Sequence, residues 1–205
     1  MCSVISSNLK ISQGHLDRLQ FIDILLNHFG DKIDVFGRGF NDIVDKWDAI
    51  VPYKYHIVIE NSSFEDYWTE KLADAFLGES YPIYYGAKNI NSYFDKESLA
   101  TIDINKPEEA VKIIEEAING NYYEKYKNQI IKSKNKVLDE YNLFPTIISK
   151  VIDKNTKIYE KSKINIKPEI YFQINLLKKI KLILRKKRII NRIWSKYRKL
   201  RPKNI

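Results

Sequence analysis

The stretch HIVIENSSFEDYWTEKLADAF, residues 56–76, decides the fold. An apolar run from His56 to Ile59 ends in Glu60, turns polar at Asn61-Ser62-Ser63, and gives way to a helical pattern over about 67–78. A strand that is apolar on every position is buried on both faces, as strands of a parallel sheet are. Strand, polar turn and helix in that order make one repeat of an α/β unit.

The same alternation runs outward in both directions. Upstream, CSVIS (2–6) reads as a buried strand. LDRLQFIDILLNHFG (16–30) follows as a helix with Gly30 as its stop, and KIDVFG (32–37) as the next strand. Downstream, YPIYYG (81–86) and LATIDI (99–104) read as strands. Pro107 opens a helix over about 107–119, a first-turn position that suits a residue without an N–H. The expected fold is a doubly wound parallel sheet over residues 1–120, followed by a helical extension (121–160) and a basic tail (161–205).

Length and composition fit one domain with an appendage. The chain has 205 residues, 44% hydrophobic and 30% charged, with only 7 glycines and 6 prolines, which excludes collagen-like and low-complexity classes. Cys2 stands alone, so no internal disulfide forms, and a reducing cytoplasmic setting is expected. No run of about 18 apolar residues is present, and the opening MCSVISSNLK lacks the apolar core of a signal peptide. The formal charge of +9 hides an asymmetry: residues 161–205 carry 16 Lys and Arg against Glu169 alone, while the first 160 are net acidic.

In open α/β sheets, ligands sit at the carboxyl ends of the strands, where loops feed helix N-termini. Glu60 ends such a strand, and Asp66 is the expected N-cap of the helix that follows. Tyr67, Glu70 and Lys71 then fall at i, i+3 and i+4, on one face. Lys71 beside the positive end of the helix dipole suits a diphosphate, and Glu70 suits the paired hydroxyls of a ribose. The alternative is a charged first turn that faces water, a common helix start, with Glu70 in a shifted capping box.

Tyr53-Lys54-Tyr55, Glu60-Asn61-Ser62, Tyr67-Trp68-Thr69-Glu70-Lys71 and Pro82-Ile83-Tyr84-Tyr85-Gly86 together resemble the donor-binding signature of the α-1,3-fucosyltransferase family, glycosyltransferase family 10. CSVISSNLKISQGHLDRLQFIDILL resembles the opening of the same domain, and IDVFGRGF its second strand. The resemblance spans about residues 1–120. It implies the C-terminal, Rossmann-like donor domain of a two-domain (GT-B) transferase, with GDP-fucose as donor substrate and no cofactor or metal. By that resemblance Arg18 and Lys71 bind the pyrophosphate, Glu70 the ribose, Tyr67 lines the donor site, and Glu60 and Asn61 line the fucose or nucleotide pocket. The general base that activates a glycan acceptor lies, in the family, in an N-terminal acceptor domain. This chain is therefore expected to bind the donor but to need that domain for transfer, with no catalytic base assigned here and Glu60 the one carboxylate placed to substitute.

His15, His28 and His56 show no metal-ligand spacing with one another or with Cys2. His15 is either a phosphate contact or a surface residue, His28 favours the helix end, and His56 reads as structural. In the tail, Leu176, Leu177, Ile180, Ile183, Leu184, Ile190, Ile193, Trp194, Tyr197 and Leu200 recur at helical spacing among basic residues. Residues 174–201 thus suit an anionic membrane surface, as the tails of some bacterial family members do, placing the chain peripherally on the inner membrane face. Nucleic-acid binding through the tail and a catalytically silent nucleotide- or partner-binding module are the rival readings.

Overall fold

The structure is a computed structural model and describes residues 1–152. Five strands, β1 (Cys2–Ile5), β2 (Ile33–Phe36), β3 (Tyr55–Ile59), β4 (Tyr81–Tyr85) and β5 (Ala100–Thr101), form one sheet in the order β2-β1-β3-β4-β5. Every pairing is parallel. The helices are α1 (Gln13–Phe29), α2 (Trp47–Ile50), α3 (Glu70–Leu77), α4 (Pro107–Asn119), α5 (Tyr122–Lys125), α6 (Lys127–Asp139) and α7 (Leu143–Ile152). This is the expected doubly wound α/β sheet.

Alternation along β3 sorts the helices between the two faces. Tyr55 donates to the Ala117 carbonyl at 3.1 Å, on α4, which packs with α1. His56 points the other way, joined through Ser3 to the Ala49 carbonyl of α2. All five residues of β3 are buried, as its unbroken apolar run requires. The core continues through Phe21, Ile22 and Leu25 of α1, Leu72 and Phe76 of α3, and Ile114 of α4.

Three features depart from the sequence expectation. Helix α3 starts at Glu70, with Thr69 as N-cap, while Asp66 adopts φ 62° instead of the extended backbone usual at an N-cap. Asn89 holds it there, accepting from the Asp66 N–H at 2.8 Å and donating to Oδ1 at 2.7 Å, and the Tyr93 hydroxyl adds a third bond. Strand β5 is two residues long rather than six. Asp103 ends the extended run by accepting the Asn105 N–H and closing a turn onto Lys106. The helical extension after Asn121 is broken, among the described residues, into three helices, α5, α6 and α7.

Helix α6 lies against α3 and buries Ile130, Ser133 and Val137. An aromatic cluster closes that side: Trp68 meets Phe94 at 5.2 Å and Tyr141 at 5.3 Å between ring centroids, both edge-on. No helix among the described residues is long and apolar enough to cross a membrane. The amphipathic stretch 174–201 lies outside the described residues.

Candidate functional site

The sheet order reverses between β1 and β3, and in such sheets the crevice beyond the strand tips is the ligand position. Here it is a cleft of about 440 Å³, lined among others by Ser7, His15, Arg18, Asn61, Glu70 and Lys71. Another cleft, of about 480 Å³, lies at the tips of β4 and β5 and contains none of the six predicted site residues.

Arg18 reaches the cleft from the second turn of α1. That helix is started by Ser12, whose hydroxyl accepts the His15 N–H while His15 Nδ1 accepts the Ser12 N–H, a capping box with histidine in the usual glutamate position. Gly14 lets the helix approach β3: a Cβ there would collide with the Asn61 carbonyl oxygen. Arg18 Nη1 then donates to Asn61 Oδ1 at 2.5 Å. Arg18 is only 5% exposed, and among the described residues its Nε has no partner. No carboxylate pairs with it among the described residues. Burial lowers its pKa, yet an arginine stays charged. A buried cation without a counter-ion is unfavourable unless an anion completes the site.

Helix α3 supplies the opposite wall. Thr69 caps it, its hydroxyl accepting the Lys71 N–H at 3.4 Å. Lys71 Nζ lies 2.9 Å from Glu60 Oε2 and 3.6 Å from Glu70 Oε1. Partial burial pushes the Glu70 carboxyl up, but Lys71, the helix-start amide, Thr69 and Lys46 outweigh it and hold it below its ordinary value. Glu70 is therefore an ionised, acceptor-only group at the rim, the form that receives hydroxyls.

The structure brings four of the six predicted residues, Arg18, Asn61, Glu70 and Lys71, into one cleft. Glu60 lies beneath it, with no exposure and both carboxylate oxygens engaged by Thr69 and Lys71. Sealed off in this way, it is out of reach of the proton of an acceptor hydroxyl. Tyr67, preceding α3, stacks on Phe64 at 4.5 Å between ring centroids and does not line the cleft. The face expected from Tyr67, Glu70 and Lys71 does not form, since Tyr67 is not helical. Arg38 lines the cleft and was not singled out from sequence; its place in Gly37-Arg38-Gly39, just beyond the β2 tip, was the available signal. Among the described residues no group of three His, Cys, Asp or Glu side chains is arranged to hold a metal ion.

The chain is 33% identical over 96 residues to the 4-galactosyl-N-acetylglucosaminide 3-alpha-L-fucosyltransferase 9 of Cricetulus griseus, and equally to that of Homo sapiens. Each match covers 44% of this chain and 27% of the relative, so the chain spans about a quarter of the aligned proteins. A crystal structure of an alpha1,3-fucosyltransferase with GDP shares the fold, with a TM-score of 0.50 and 22% identity over 65% of this chain and 38% of that one. The family model for the C-terminal domain of glycosyltransferase family 10 (fucosyltransferase) matches residues 1–145. That match takes in more than half of the chain, and the chain belongs to glycosyltransferase family 10 through its C-terminal domain.

Proposed function

We propose that this chain is the donor-binding half of a fucosyltransferase, holding GDP-fucose for transfer to a glycan acceptor. The observation that carries the reading is Arg18: a buried arginine with, among the described residues, an unpartnered Nε and no carboxylate beside it, facing a cleft that Lys71 also lines. Two cations converging on one cleft suit a diphosphate, whose negative charge grows as GDP leaves. Ionised Glu70 at the rim suits the ribose hydroxyls. Asn61, which accepts from Arg18 at the β3 tip, fixes the guanidinium and lines the donor pocket.

The general base and most of the acceptor site belong, in this reading, to an N-terminal acceptor domain that works with this chain. No metal or cofactor is required, because Arg18 and Lys71 supply the charge on the phosphates. The basic residues 174–201 hold the chain peripherally on the anionic, cytoplasmic face of a membrane, where a surface polysaccharide is assembled. Support for the cytoplasmic, membrane-facing placement is the solitary cysteine and the tail's composition.

Calorimetric titration of the chain with GDP, GDP-fucose and UDP tests the donor reading. Guanine-selective binding that is markedly weaker in Lys71→Ala supports it; a folded chain that binds none of the three overturns it. Adding a purified acceptor domain should then restore sugar transfer, whereas a catalytically silent module stays inactive.

A further inference from the structure

We infer that Glu60 is a positioning residue for the donor site: its buried carboxylate fixes Lys71 in the orientation that meets a diphosphate, and it acts through Lys71 without touching the ligand. The inference rests on the donor reading above.

Glu60 has no exposed surface. Oε1 accepts from the Thr69 N–H at 2.9 Å and from the Thr69 hydroxyl at 2.8 Å; Oε2 takes the same hydroxyl at 2.9 Å and Lys71 Nζ at 2.9 Å. A carboxylate so placed must be balanced in charge, and Lys71 is its one ion-pair partner among the described residues. The seat is tight: a Cβ on Gly86 would stand 2.7 Å from Glu60 Cγ. The anchor therefore shifts little, and what it holds is held firmly.

Lys71 is the part that needs holding. Its stem has four rotatable bonds, and an ammonium carries three donors. Two of them go to Glu60 Oε2 and to Thr69 Oγ1, the latter at 3.0 Å. The remaining N–H belongs to a side chain that is still 30% exposed and lines the cleft. Fixing two donors on a rigid base aims the third and removes the rotamer freedom that ligand binding otherwise takes away. The ion pair also offsets the unfavourable placement of a cation in the first turn of α3.

A role confined to anchoring the α3 cap makes a different prediction. It would disturb every ligand of the cleft alike, whereas action through Lys71 is felt only by phosphates. The test is calorimetric titration of the 205-residue chain with GDP and with guanosine, for wild type, Glu60→Gln, Lys71→Ala and the double variant. Glu60→Gln retains the size of the side chain but presents a donor or a neutral oxygen to Lys71. It is expected to weaken GDP about tenfold, the scale of one charge-assisted hydrogen bond, with guanosine unchanged. In the Lys71→Ala background the same substitution should change GDP affinity by less than about twofold. Unaltered or tighter GDP binding by Glu60→Gln, an equal loss for guanosine, or full additivity with Lys71→Ala overturns the inference. Thr69→Val, which removes the bridging hydroxyl and leaves both charges, decides the matter should Glu60→Gln not fold; GDP binding about threefold weaker is expected, the scale of a neutral hydrogen bond, and unchanged binding refutes the role. A wild-type chain that does not bind GDP sinks the donor reading itself; one that does, with Glu60→Gln indifferent, sinks only the role of Glu60.

Discussion

Arg18 and Asn61 are 43 positions apart in sequence, yet Arg18 Nη1 donates to Asn61 Oδ1 at 2.5 Å across the tips of α1 and β3. The bond ties the two elements that flank the reversal of strand order, and it leaves Arg18 Nε without a partner. Binding and stability are set against each other at this residue.

Arg18→Met fills a similar space without a buried charge. We expect nucleotide binding to be lost, and the unfolding free energy to stay level or rise by about 1 kcal/mol, as when a buried ion is exchanged for an apolar group. Urea denaturation alongside calorimetry checks both. A large loss of stability would show that the bond to Asn61 outweighs burial of the guanidinium.

Gly14→Ala puts a methyl group against the Asn61 carbonyl. Backbone atoms cannot swing aside as a side chain does, so the start of α1 must shift and carry Arg18 with it. A destabilisation of about 1–3 kcal/mol is expected, with weaker GDP binding in the fraction that folds. An unchanged melting temperature and affinity would mean that the close approach is not needed.

Burial pushes the His56 imidazole down to about 3. The Ser3 hydroxyl donates to the Ala49 carbonyl at 2.6 Å, so its contact with His56 Nδ1 at 2.8 Å must carry the imidazole proton. The folded chain therefore holds His56 neutral, protonated at Nδ1. The unfolded chain gains a proton below about pH 6.5 and the folded chain only below about 3. Stability from this residue is complete above 6.5 and is lost as pH falls, by up to about 1.4 kcal/mol per unit. Nitrogen-detected NMR of the imidazole is the direct check; a folded-state titration near 6.5 would contradict it.

Phe94 is 2% exposed and touches Phe76 at 4.7 Å, Trp68 at 5.2 Å and Tyr141 at 5.6 Å between ring centroids. Phe94→Ala should cost about 3–5 kcal/mol, the range for a buried phenylalanine. Because Tyr141 follows α6, proteolysis near residues 126–141 should quicken in the variant. A loss of stability without new cleavage there would mean that α6 is held by its own contacts with α3.

Most of the fold was readable because it rests on local signals. An all-apolar run marks a strand covered on both faces, Gly30 stops α1, and Pro107 stands at the first turn of α4. The boundaries that were misread depend on distant partners. Asp66 reads as an N-cap by residue type, but Asn89 and Tyr93 hold it in a left-handed conformation, and the cap passes to Thr69.

The site divides along the same line. The sequence by itself determined that Arg18, Asn61, Glu70 and Lys71 lie near strand tips and helix starts, because α/β alternation sends every such loop to one edge of the sheet. It also determined the asymmetry of charge between the first 160 residues and the tail. Only the tertiary structure decided that Glu60 is sealed beneath the cleft and that Arg18 has no counter-ion among the described residues. Burial and pairing of a charge depend on which side chains from elsewhere in the chain come within about 3–4 Å, and neighbours in sequence do not specify that distance.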